Sequence, residues 1–151
     1  MIVSDSTTLI ILLDLKRVDL LSNLFVKVYI PHAVFEEINF KNEIEIPAWI
    51  KVVKMKESEL LHSLNNLLDQ GESEAIALAK ELHLPLIIDE KKGRKIAQNC
   101  NIKIIGLLGI IYINIKKDFM SEENAKIFLK NAVDNGYRIS EKLIDEMLGS
   151  L

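Results

Sequence analysis

Cysteine is almost absent from this 151-residue chain: Cys100 stands alone. No internal disulfide can form and no second thiolate is at hand for zinc, so a reduced, mostly buried thiol is the reading that remains. Aromatic residues are scarce at 6% and prolines number three, while 49% of the residues are hydrophobic, the profile of a compact globular protein and not of a disordered one. No long hydrophobic run is present either. The most apolar stretch, "IKIIGLLGIIYINI", contains Lys103 and Asn114 and leaves about a dozen clean residues, short of the ~20 that span a bilayer, so no membrane role is expected. No basic residue precedes the first apolar segment, which Asp5 and Asp14 bracket; a secretory signal is therefore not expected and cytoplasmic residence is. Positive charge is not in excess: the formal net charge is −3 and the pI about 5.7, the wrong sign for a protein that holds nucleic acid on a broad basic surface. Neither G-x-x-x-x-G-K-[ST] nor G-x-G-x-x-G follows any apolar strand, which excludes the usual nucleotide-driven chemistries.

What is present is a rhythm. Short segments rich in β-branched residues, Ile2 to Ser4, Val26 to Ile30, Trp49 to Val53, Leu86 to Ile88 and Lys103 to Ile105, read as strands. Between them Thr7 to Leu15, Ala33 to Phe40, Glu57 to Leu68, Glu72 to Leu82 and Lys91 to Asn99 carry apolar residues three and four apart and read as helices. From Ser121 onward two further helices are expected, each opened by a serine cap, and Lys116 to Asp118 reads as a surface turn. With no linker, repeat or low-complexity tract, residues 1–151 are expected to form one α/β domain. Strands alternating with helices across short links call for a parallel sheet, because parallel neighbours need crossovers.

In such sheets ligands gather outside the carboxyl ends of the strands. Asp5 follows the first strand and Asp89 the fourth, each with a helix on its other side. If those strands are neighbours, their chains lie about 4.8 Å apart and the two acids can share one ion. Each also fits a plain helix cap. Glu37, in "IPHAVFEEI", lies on the flank of the apolar face, whereas Glu36 points away from it. In "DQGESEAIALAKEL" both Glu72 and Glu74 flank the stripe of Ala75, Leu78, Ala79 and Leu82; periodicity leaves open which turns inward, and either also suits the positive end of the helix dipole.

Taken together, "VSDSTTLI", "VYIPHAVFEEI", "GESEAIALAKEL", "LPLIIDEKKGRKIA" and "GLLGII" resemble, in this order and over nearly the whole chain, the PIN-domain family, in particular a branch close to VapC-type toxins with a G-E-x-E-A segment. The resemblance implies a three-layer α/β/α sandwich around a central, mostly parallel five-stranded sheet. It also implies a Mg²⁺- or Mn²⁺-dependent ribonuclease that cleaves single-stranded RNA. Carried over, the family's acids fall on Asp5, Glu37, Glu74 and Asp89, with Glu72 as the substitute for Glu74, and its hydroxyl falls on Thr7, which would orient a ligand from behind. Arg94 falls where the family often has a basic residue and is the candidate substrate contact. A small antitoxin protein that inserts a basic side chain among the acids, and a homodimer, are the partners implied.

Physical chemistry supports the metal. Converging carboxylates repel one another and raise each other's pKa unless a cation sits among them, and oxygen donors without His or Cys suit Mg²⁺ or Mn²⁺ better than zinc. His32, His62 and His83 are scattered and read as structural or surface residues. A phosphoacceptor receiver would want an acid pair before the first helix, where Asp5 instead stands between Ser4 and Ser6. The rival that survives is a non-catalytic module of the same fold that binds RNA or a partner protein.

Overall fold

The computed structural model describes residues 1–41 and 45–151. Five short apolar segments form one sheet: β1 (Ile2–Ser4), β2 (Val28–Pro31), β3 (Ile50–Val53), β4 (Leu86–Ile87) and β5 (Ile104–Ile105), in the order β3-β2-β1-β4-β5. Every ladder is parallel, so the expected mostly parallel sheet is a fully parallel one flanked by helices. β2 begins later than the sequence pattern placed it, because Val26 stands 80% exposed outside the sheet.

Helices fill the connections: α1 (Ser6–Asp14), α2 (Asp19–Ser22), α3 (His32–Lys41), α4 (Glu59–Asn65), α5 (Gln70–Leu82), α6 (Lys91–Asn99), α7 (Leu107–Lys116), α8 (Glu122–Asp134) and α9 (Glu141–Gly149). Side-chain caps set several starts. Ser58 accepts from the Leu61 N–H at 3.1 Å and trims the longer helix expected there, while Asp69 accepts from Glu72 N–H at 2.8 Å and starts α5 ahead of Glu72. Ser121 and Ser140 cap α8 and α9 as their positions predict. Periodicity missed two helices, the single-turn α2 and the longer α7. The sequence of α7, "LLGIIYINIK", is apolar nearly all round, so no 3.6-residue stripe marks it as a helix, and α2 is too short to show one.

α5 packs on β1 and β2 and against α3 and α4, and α7 packs against β5, α2, α8 and α9. Residues Ser73 to Ala79 of α5 are all buried, its three alanines letting the helix sit close to its neighbours, whereas Leu82, expected on the buried stripe, is 38% exposed. Among the described residues no helix is long and apolar enough to cross a membrane.

One polar side chain locks the second helical layer. Asn114 of α7 is fully buried; it donates to the carbonyls of Leu20 at 3.0 Å and Ile110 at 2.9 Å and accepts from Asn23 Nδ2 at 3.1 Å. Asn114→Ala should therefore cost about 2–3 kcal/mol, since it leaves the Leu20 carbonyl and the Asn23 amide without their partner. Urea denaturation measures it, and a loss under about 0.5 kcal/mol would refute this account of the α2–α7 contact.

The strand order carries the functional consequence. From β1 the chain steps to β2 and β3 on one side, then returns to β4 and β5 on the other, so the winding reverses between β1 and β4. Asp5 N donates to the Ile87 carbonyl at 2.9 Å, which sets the ends of these two strands side by side. A crevice outside the carboxyl ends at this reversal is where open parallel sheets bind ligands.

Candidate active site

Asp5 leaves the end of β1 in extended conformation and occupies the cap position of α1, yet its side chain makes no capping bond. It is only 3% exposed, and its Oδ1 is buried with no hydrogen-bond partner. The helix-cap reading of this residue therefore fails. Burial pushes its pKa up to about 7; the Ser6 N–H opposes that, and the charges of Glu37, Asp69 and Asp89 add to it.

Glu37 reaches the same place from α3. Its Oε2 accepts from Ser6 Oγ at 2.8 Å, which ties the residue after Asp5 to the third helix. Partial burial raises the Glu37 pKa; the Ser6 bond opposes this and Asp69 reinforces it. Gly71, at the start of α5, makes the approach possible: a Cβ there would lie 1.9 Å from Glu37 Oε1. Glu37 thus stands on the rim of the cleft, with its residue exposed.

The two glutamates of α5 part company. Glu74, expected among the acids by resemblance, points instead at the start of α3, where it accepts from Ala33 N–H at 3.3 Å and from Gln70 Nε2 at 3.0 Å. Ala33 stands in the first turn of α3, and a buried carboxylate arriving from α5 gives its N–H an acceptor. Glu72 is the residue that faces the acids. Its Oε2 is buried without a donor, it interacts with Asp69, Glu90 and Asp5, and its pKa is raised, chiefly by burial and then by the Asp69 and Glu90 carboxylates. Gly93 of α6 leaves room for it, since a Cβ there would lie 2.8 Å from Glu72 Oε2. Glu90 accepts from Gly93 N–H at 2.8 Å, which holds its own pKa down.

Asp89 is held from several sides. Its Oδ1 accepts from Leu107 N–H at 3.1 Å, so it caps α7 across the sheet edge, and its Oδ2 accepts from the Thr8 hydroxyl. Tyr137, buried in the turn between α8 and α9, directs its hydroxyl to Asp89 and Thr8; burial raises its pKa, with the Asp89 charge adding to the effect. Arg94 is half-buried beside Asp89 and donates from Nη1 to the Ile88 carbonyl at 3.0 Å. Thr7, the hydroxyl singled out by resemblance, is exposed; the hydroxyls that orient acids are its neighbours Ser6 and Thr8. The "DSTT" run could have suggested both, because residues one and three after Asp5 lie away from the face that Thr7 takes. Asp69, Glu90 and Tyr137 carried no comparable local signal.

The structure thus brings Asp5, Glu37, Asp89 and Glu72 to one sheet edge and leaves Glu74 and Thr7 out of it. The three histidines stay outside: His32 pairs with Glu36 at 2.8 Å, His83 ends α5 with φ 55°, and His62 is exposed on α4. Among the described residues, no three His, Cys, Asp or Glu side chains stand close enough together to hold a metal ion as placed. The donor set nonetheless fits a hard dication, being oxygen only, with two buried carboxylate oxygens that lack any donor.

Comparisons with curated proteins and with solved structures found no match. A family model described as the PIN domain, by contrast, matches residues 1–151. With the match running the length of the chain, this protein belongs to the PIN-domain family.

Proposed function

We propose that the protein is a Mg²⁺- or Mn²⁺-dependent endoribonuclease that hydrolyses phosphodiester bonds in single-stranded RNA, and that it is the toxin of a toxin–antitoxin pair. PIN domains are generally nucleases, which supports the first half. The observation that carries it is the pair of buried, donorless oxygens, Asp5 Oδ1 and Glu72 Oε2, supplied by distant parts of the chain and surrounded by further acids. Such an arrangement is costly to a protein without a bound cation, so its presence argues for one.

Asp5, Glu72 and Asp89 are the residues that would hold the ion. When bound there, a hard dication supplies Lewis-acid polarisation of a phosphoryl oxygen and an acidified water. The chain does the rest. Thr8, the Leu107 N–H and Tyr137 fix the Asp89 carboxylate, and Ser6 fixes Glu37 on the rim, where its raised pKa suits it to take a proton from the attacking water. The acids also make a metal-free pocket repel phosphate, so substrate binding and metal loading should rise together.

The second reading, a non-catalytic module of this fold that binds RNA or a partner protein, is favoured by one observation: no three of the acids stand at metal-holding distance as placed. One experiment separates the two. In the catalytic reading, Mn²⁺ raises the melting temperature of the parent protein, and a single-stranded RNA is cut in a reaction that EDTA stops and Asp89→Asn abolishes. No thermal shift and no cleavage would leave the binding module. The toxin assignment rests on the order of the motifs; recovery of the lone, active protein without harm to the expressing cells would remove it and leave the nuclease standing.

A further inference from the structure

Beside Asp89 opens a cleft of about 1030 Å³, bounded by α6, β5 and α7 on one side and by the α8–α9 turn and the start of α9 on the other. Aliphatic side chains, Ile105 and Ile139 among them, line much of it. Three cations, Lys91, Arg94 and Arg138, stand along it against one acid, Asp89, in a chain whose net charge is −3. Arg94 is partly committed to the Ile88 carbonyl, but Arg138 is exposed and makes no ion pair among the described residues. Arg138 is also held close to the acids, because Tyr137, the residue before it, is anchored on Asp89.

We propose that this cleft receives the RNA strand on one side of the bond to be cut, with Arg138 as the phosphate contact and the bases lying on the aliphatic lining. The inference rests on the nuclease reading and adds to it the path of the strand. Charge and shape select this occupant. A single strand presents a phosphate at every nucleotide with an apolar base face between, and the cleft offers cations beside an apolar lining at a size that ordinary ligand pockets reach. The acids beside Asp5, namely Glu37, Asp69 and Asp89, offer no positive charge to the flanking phosphates, so cations must do so further along. Few aromatic residues line the cleft, so contacts to bases should be tolerant of sequence.

The test is cleavage of a fluorescent, mixed-sequence single-stranded RNA by the full chain at several salt concentrations. Arg138→Gln should raise KM about tenfold with kcat within about twofold, and should lower the salt slope of log kcat/KM by about 0.7, one phosphate on a single strand. Arg138→Lys should recover most of the loss, and Lys126→Gln, on α8 away from this cleft, should behave as the parent. Unchanged KM and salt slope in Arg138→Gln would overturn the proposal. If the parent cuts no RNA, the nuclease reading fails separately. Fluorescence anisotropy with the same RNA then decides the cleft: weaker binding by Arg138→Gln supports it and equal binding overturns it.

Discussion

Asp5→Asn should make the metal-free protein more stable at pH 8 while abolishing RNA cleavage. The Asp5 carboxyl holds its proton up to about pH 7 in the folded chain, against an ordinary value of 3.8. A group whose folded pKa is raised contributes its full stability below the unfolded value, and that contribution is lost as pH rises through the folded one. Between about pH 4 and pH 7 the parent therefore loses stability that the asparagine variant keeps. The difference at pH 8 should be about 2–4 kcal/mol, or roughly 5–10 °C in melting temperature for a chain of this size, and should vanish near pH 4. Mn²⁺ should reverse the order by stabilising the parent alone. Thermal melts in EDTA and in Mn²⁺ at both pH values check this, and a variant less stable than the parent at pH 8 without metal would show that Asp5 is an ordinary structural carboxylate.

Glu72→Gln and Glu74→Gln should separate chemistry from stability, although the two glutamates lie two residues apart in one helix. Glu72 faces Asp5, Asp69 and Glu90, so its neutral amide should relieve repulsion, leave stability equal or higher, and lower kcat/KM at least a hundredfold through loss of a carboxylate at the site. Glu74 accepts from the Ala33 N–H and from Gln70. Its amide keeps one acceptor but gives up the charge at the start of α3, at a cost of about 1–2 kcal/mol, with kcat/KM within a few-fold of the parent wherever the chain is folded. The opposite pattern, an inactive but stable Glu74→Gln and an active Glu72→Gln, would return Glu74 to the acid site and would require α5 to turn about its axis.

The contrast between these glutamates marks where local pattern stops being informative. A helix stripe tells which side of α5 is apolar, and both residues flank it equally. The decision belongs to what lies across from each flank: the start of α3, with the Ala33 N–H, beside Glu74, and the ends of β1 and β4 beside Glu72. Ser6 and Thr8 take the roles expected of Thr7 for a similar reason. α1 presents them, and not Thr7, to Glu37 and Asp89, elements from different parts of the chain.

The alternation of apolar strands and capped helices determined the architecture by itself, because period and short links admit only a parallel sheet with crossovers, and the acids that end β1 and β4 were legible for the same reason. The apolar α7 was not, since a helix whose sequence is apolar nearly all round shows no stripe, and neither was Tyr137, which meets Asp89 only once the C-terminal helices fold back. Tertiary structure alone decided that Asp5 caps nothing, that Glu72 and not Glu74 joins it, and that a cationic cleft opens next to Asp89. Each of these depends on groups brought together from far along the chain, and periodicity within one segment holds no record of what will face it.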